Sequence, residues 1–216
     1  MKYILVPFFL FTAISCREII PFDDSDSITG YQINGLVTNS SGTPLADVSV
    51  FLSYEYIKIS NTSIDTIVVV VVKDSSLVSI DALSEKKTVI RNLFYGWRRT
   101  GPISRYTWSG EISNNVSVPA GYYFIRYSID TEIKKEVPIT VERTKTASTD
   151  SVGKFIITNI NLPVNKIIDR YDTSDRYLGT YAVTEWVFLE LYHGSIYRRG
   201  RVELKKDVIT RLSITM

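Results

Sequence analysis

His193 and Ser195, two residues apart and so on one face of a strand, are the nearest this sequence comes to a base beside a nucleophile. A hydrolytic triad also needs an acid to orient the imidazole and a sharp turn such as Gly-x-Ser-x-Gly to present the hydroxyl, and the sequence offers neither. His193 therefore reads as an ordinary strand histidine. With one His and one Cys in 216 residues, a zinc site of the usual His/Cys type cannot be assembled. Asp23, Asp24 and Asp26 supply only part of a calcium loop, and their setting is that of a solvated acidic linker. A glycoside hydrolase needs two opposed carboxylates, and the sequence does not set Glu185, Glu190 or Asp169 opposite anything. No catalytic residue, cofactor site or metal ligand is assigned on this inventory.

The remaining reactive group is Cys16, the one cysteine of the chain. It follows Lys2, an apolar stretch over residues 3–12 and the small-residue approach Ala13-Ile14-Ser15, the order of an export leader. A membrane-spanning helix needs roughly 20 apolar residues, so this stretch is too short to remain as an anchor. Ala-Ile-Ser-Cys resembles the lipobox of bacterial lipoproteins. That resemblance implies cleavage after residue 15 and acyl chains on Cys16, attaching the protein to the cell envelope, at the outer membrane rather than the inner. One acyl chain holds a protein only reversibly, whereas two or three hold it firmly. Residues 16–30 then read as a tether.

Roughly 200 residues remain after the leader, enough for one large or two small domains. The formal charge of +2 includes Lys2, which leaves with the leader, so the mature chain is close to neutral and carries no nucleic-acid footprint. Hydrophobic residues make up 44%, rich in Val, Ile and Tyr, and no stretch after the leader shows convincing helical periodicity. The composition predicts an all-β protein.

Two stretches far apart read as halves of one unit. "QINGLVTNSSGTPLADVSVFL" alternates around a turn, with Ile33, Gly35 and Val37 before it and Val48, Val50 and Leu52 on one face after it. "TDSVGKFIITNINLP", residues 149–163, is a turn feeding a strand. Together they resemble the carboxypeptidase-regulatory-like, or transthyretin-like, β-sandwich, whose opening runs Gly-x-Val-Thr-Asp, turn, Pro-Leu, Val-x-Val-x-Leu and whose next hallmark is Thr-Asp-x-x-Gly-x-Phe, strand, Leu-Pro. The resemblance implies an accessory, non-catalytic module closed by strands around Trp186 to Leu191 and Val202 to Ile214. After Pro163 a charged segment replaces the family's short turn, leaving strand pairing over residues 164–180 open.

The residues between the halves must fold by themselves. "IVVVVVK" predicts a strand buried on both faces or covered by a neighbouring domain, and Val68–Val72 is the expected contact with it. Trp108, Gly110, Val118, Pro119, Gly121, Tyr123, Phe124, Lys134 and Lys135 resemble the Ig-like module of flagellar hook-capping proteins and of type IX-secreted proteins. The expectation is two antiparallel β-sandwiches, one inserted in the other: residues 31–60 plus 147–216 as host and 61–146 as insert.

Surface chemistry supplies the candidate ligand residues. Tyr95, Trp97 and Tyr106 could form an aromatic platform for glycan or peptide, against the plain reading that strands are Tyr-rich for packing. Arg198, Arg199 and Arg201 lie in "YRRGR", read as a hairpin tip, and "GWRRTG" is a second basic turn; either could dock an acidic partner or anionic lipid, or be solvated. The functional expectation is a lipid-anchored, non-enzymatic binding or scaffolding module with an envelope-protein or glycan partner. The alternatives are a carbohydrate-active or other hydrolase with an unrecognised carboxylate site, and an accessory lipoprotein of an outer-membrane secretion or uptake complex.

Overall fold

A computed structural model describes residues 28–60, 68–172, 174 and 176–216. The leader, Cys16 and most of the tether lie outside the described residues. The chain is all-β, as its composition predicts, and one short 3-10 turn at Asn159–Asn161 is its only helical element among the described residues.

The first sandwich begins with β1 (Tyr31–Thr38) and β2 (Ser49–Ser60) and resumes with β11 (Lys145–Ser148), β12 (Lys154–Ile157), β13 (Ile167–Tyr171), β14 (Tyr177–His193), β15 (Ile196–Glu203) and β16 (Val208–Thr215). One sheet has the order β12-β1-β16. The other runs β11-β2-β14, and the long strand β14 takes β13 along its first half and β15 along its second. Alternation in β1 and β2 puts Ile33, Val37, Val50 and Leu52 inside, where they meet Phe155, Ile157, Leu189 and Leu191. Strand β1 pairs antiparallel with β12, Ile33 opposite Ile157, and parallel with β16, Ile33 opposite Thr210. That parallel pair sits among sheets whose other described pairings are antiparallel.

The Thr-Asp-x-x-Gly turn earns its residues one by one. The Thr149 hydroxyl donates to the Leu45 carbonyl at 2.7 Å and accepts from the Val48 N–H at 2.9 Å, tying the second half of the chain to the first. Asp150 Oδ1 accepts from the N–H groups of Val152 and Lys154, closing the turn. Gly153 has φ +75°, and a Cβ there would lie 2.4 Å from the Val37 carbonyl oxygen, so glycine is required twice over.

Between these halves run β3 (Val68–Val72), β4 (Ser76–Leu83), β5 (Val89–Arg98), β6 (Gly101–Ser104), β7 (Glu111–Ser113), β8 (Val116–Ser117), β9 (Gly121–Ile129) and β10 (Glu132–Val141). The main sheet has the order β10-β9-β4-β5, with two-stranded ribbons β3-β6 and β7-β8 beside it. A second core gathers Val72, Val78, Ile80, Ala82, Ile125 and Tyr127. The expectation for the valine run needs correction: among the described residues β3 pairs only with β6, and Val71 is 56% exposed while Val72 is fully buried. The run packs on the core of its own segment, because a two-stranded ribbon lying on a sheet has only one face to bury.

Contact between the two cores lies elsewhere. Tyr54 donates its hydroxyl to the Asn161 carbonyl at 2.8 Å, Asn161 donates its side-chain amide to the Ala120 carbonyl at 2.7 Å, and Ala120 packs into the first core. Lys166 pairs with Glu85 at 2.8 Å, and the Tyr122 hydroxyl donates to the Ile167 carbonyl at 3.3 Å. The charged segment after Pro163 thus supplies β13 and part of this seam.

Candidate functional site

Strand β5 is an edge strand, and its outer residues are the starting point. Tyr95 and Trp97 are two apart, on one side of the strand, and are 66% and 71% exposed. The chain turns at Arg99 and Thr100, fixed by a 2.9 Å hydrogen bond from the Thr100 hydroxyl to the Lys73 carbonyl, and returns as β6. A cavity of about 740 Å³ opens beside this turn, floored by Val72, Val78, Ile80 and Ile103 and rimmed by Trp97, Arg98, Arg99, Arg105 and Tyr106. A second cavity of about 330 Å³ shares Arg105 and Tyr106 with the first and continues past Trp108, Thr140 and Glu142 to the Ile168, Asp169, Arg170 and Tyr171 stretch of the first sandwich. The two cavities adjoin at Arg105 and Tyr106, and the groove they outline starts on the second core and ends on the seam between the two.

Packing orients its side chains. The Tyr106 backbone N–H donates to the buried Tyr127 hydroxyl at 2.8 Å, and the Trp108 indole N–H donates to the Glu111 carbonyl at 2.8 Å, with its ring edge-on to Tyr123. Guanidinium groups lie over aromatic rings at three places: Arg98 over Phe94 at 4.3 Å, Arg105 over Tyr171 at 4.0 Å and Arg170 over Tyr56 at 4.2 Å. Asp169 Oδ1 accepts from the hydroxyls of Tyr177 and Thr180.

Glu142 accepts a hydrogen bond from the Tyr56 hydroxyl, which also shares one with Thr140 at 2.8 Å. Burial pushes the Glu142 carboxyl above its ordinary 4.5, outweighing the Tyr56 hydrogen bond and the pull of Arg170 and Arg143. A carboxyl with a raised folded pKa holds its proton more tightly folded than unfolded. Its stabilising contribution is therefore complete below the unfolded value and is lost as pH rises through the folded one. Glu142→Gln keeps the shape and an acceptor for Tyr56, so its melting temperature should exceed that of the wild type at about pH 7 and lose this advantage by about pH 4. Thermal scans across that range check it, and a difference that does not vary with pH would exclude titration of Glu142 as the cause.

The structure divides the residues picked out by sequence. Trp97 and Tyr106 line the groove, joined by the Arg98 and Arg99 of the "GWRRTG" turn, and Tyr95 stands next to Trp97 on β5. The residues read as a basic hairpin tip are not a tip: Arg198, Arg199 and Arg201 lie within β15, and the turn is Gly194-Ser195. They also have partners. Arg201 grips Glu55 through two bonds of 2.8 and 2.9 Å with its guanidinium 3.7 Å over Trp186, Arg199 lies 3.6 Å from Glu190, and Arg198 donates to the Thr215 carbonyl. His193 ends β14 and Ser195 sits in the turn, so the two do not share a strand face. Among the described residues, no three His, Cys, Asp or Glu side chains come together as a metal site. Searches of family models, curated proteins and solved structures return no match. The groove is therefore read on its own chemistry. Arg105, Trp108, Glu142, Arg170 and Tyr171 were not foreseen as one site, because only folding brings residues 105–108 against residues 168–171. The Tyr106-x-Trp108 spacing was the one signal available.

Proposed function

We propose that this chain is a non-enzymatic, lipid-anchored envelope protein that binds its ligand in the groove along the two cores. The leader ending in Ala13-Ile14-Ser15-Cys16 supports the anchor, with the outer membrane as its expected location. The likeness of both segments to exported β-sandwich modules supports a binding or scaffolding role, alone or as an accessory to an outer-membrane complex. The observation that carries the binding reading is the gathering of Arg98, Arg99, Arg105 and Arg170 with Trp97 and Tyr106 around two adjoining cavities.

The anchor has a direct test. Metabolic labelling with a palmitate analogue should mark the wild-type protein and send it to the detergent phase, and Cys16→Ser should abolish both. A wild-type protein that takes no label and fractionates in the aqueous phase would sink the anchor. A hydrolase reading draws on one observation, that Glu142, kept protonated upward in pH by burial, lines the same cleft as Asp169. Turnover of a bound glycan that is lost in Glu142→Gln would favour it.

A further inference from the structure

The geometry points to a carboxylated oligosaccharide as the ligand of this groove. The inference rests on the reading of the groove as the binding site and adds the chemistry of what fills it. Positive charge is the first observation. Among the described residues, Arg98, Arg99 and Arg170 have no carboxylate within ion-pair distance, although Arg199 and Arg201 on β15 each have one. Carboxylates thus meet two arginines of the hairpin, whereas none of the described carboxylates meets Arg98, Arg99 or Arg170. Four arginines, Arg98, Arg99, Arg105 and Arg170, line the groove against two acids, Glu142 and Asp169. The groove thus keeps a net attraction for anions.

The second observation is how the cations are held. A guanidinium held over a ring has lost much of its freedom in advance, and its planar N–H fork can meet a carboxylate through two parallel bonds. Arg98, Arg105 and Arg170 are all held this way. Length is the third observation. Arginines and aromatic rings succeed each other from Trp97 with Arg98 and Arg99, through Arg105 and Tyr106, to Arg170, over two joined cavities of about 740 and 330 Å³. A single compact anion would use one end of such a groove. A chain with a carboxylate and an apolar face in each unit uses all of it, and a uronate-containing glycan is such a chain, since the C–H face of a pyranose stacks on a ring as exposed as Trp97.

The test uses the detergent-solubilised full chain against a panel of uronate-bearing polysaccharides, each beside its carboxyl-reduced counterpart, with polyglutamate and inorganic phosphate as the other anions. At least one uronate polymer should bind, with affinity falling as salt rises and about tenfold or more weaker for the carboxyl-reduced form. Arg99→Gln together with Arg170→Gln should weaken binding about ten- to a hundredfold, and Trp97→Ala about three- to tenfold. Arg198→Gln with Arg199→Gln should leave it unchanged, and near-UV circular dichroism should verify that every variant is folded. Binding of no uronate polymer, equal binding of the reduced forms, an equal loss from the β15 variant, or tighter binding of polyglutamate or phosphate would each overturn the proposal. None of these results bears on the lipid anchor, whose labelling experiment fails or succeeds independently.

Discussion

Phe155→Ala should lower the unfolding free energy by about 3–5 kcal/mol, measured by urea denaturation with an unchanged m-value. The Phe155 ring is 3% exposed and lies directly across the sheet from Gly35, its partner in the β1–β12 register. A Cβ at Gly35 would fall 2.0 Å from a ring carbon, so the ring occupies the space a side chain on β1 would take. Two consequences follow from one contact. Removing the ring leaves a cavity over a bare backbone that no neighbour can close, and Gly35→Ala should also destabilise, by about 1–3 kcal/mol or more, by pushing the ring off its site. The double variant should lose less than the sum of the two, since without the ring the added methyl has room. A loss below about 1 kcal/mol for Phe155→Ala would mean that the two halves of the first sandwich are not held together here.

The second large effect concerns the segment between those halves. Removing residues 61–144 and rejoining the chain should leave a protein that still unfolds cooperatively, because the first core draws all its side chains but Ala120 from outside that segment. The join must respect the strands. Lys145 pairs with Phe51, whereas Ser60 is the last residue of β2, so the ends to be joined are separated by nine residues of strand, about 30 Å. A flexible linker of about 25 residues has a root-mean-square reach of about 28 Å and fits, whereas a short one would pull β11 off β2. Residues 68–141 expressed alone should fold around Val78, Ile80, Ile125 and Tyr127. Amide NMR spectra of both pieces decide the matter. A disordered host piece beside a folded full chain would show that the middle segment is an integral part of one larger unit.

Much of the architecture was legible because turn chemistry and alternation are local. Thr149, Asp150 and Gly153 announce a turn wherever they occur, and Asn114-Asn115 does the same for the β7–β8 ribbon, where Asn115 has φ +61°. What a strand packs against is not local. Five valines in a row read as a strand hidden on both sides, yet Val71 faces water because, among the described residues, β3 pairs only with β6 and packs one face on the core beneath it. The arginines misled for a related reason. "YRRGR" and "GWRRTG" look alike as text, but Glu190 on β14 and Glu55 on β2 pair with Arg199 and Arg201 of the first and no described carboxylate pairs with the second. Charge in a sequence is a count, whereas charge in a site depends on which strand lies opposite.

The parallel contact between β1 and β16 sets a timetable. Gly30 and Asp207, 177 residues apart, bond to each other through the Gly30 N–H and the Asp207 carboxylate, and both strand partners of β1 come from beyond residue 150. At about 5–20 residues per second, a ribosome needs roughly 10–35 s to make that span. Through all of it β1 waits with no sheet to join, while β4, β5, β9 and β10, whose partners are close in sequence, can already assemble. The strand made first is among the last to find its place.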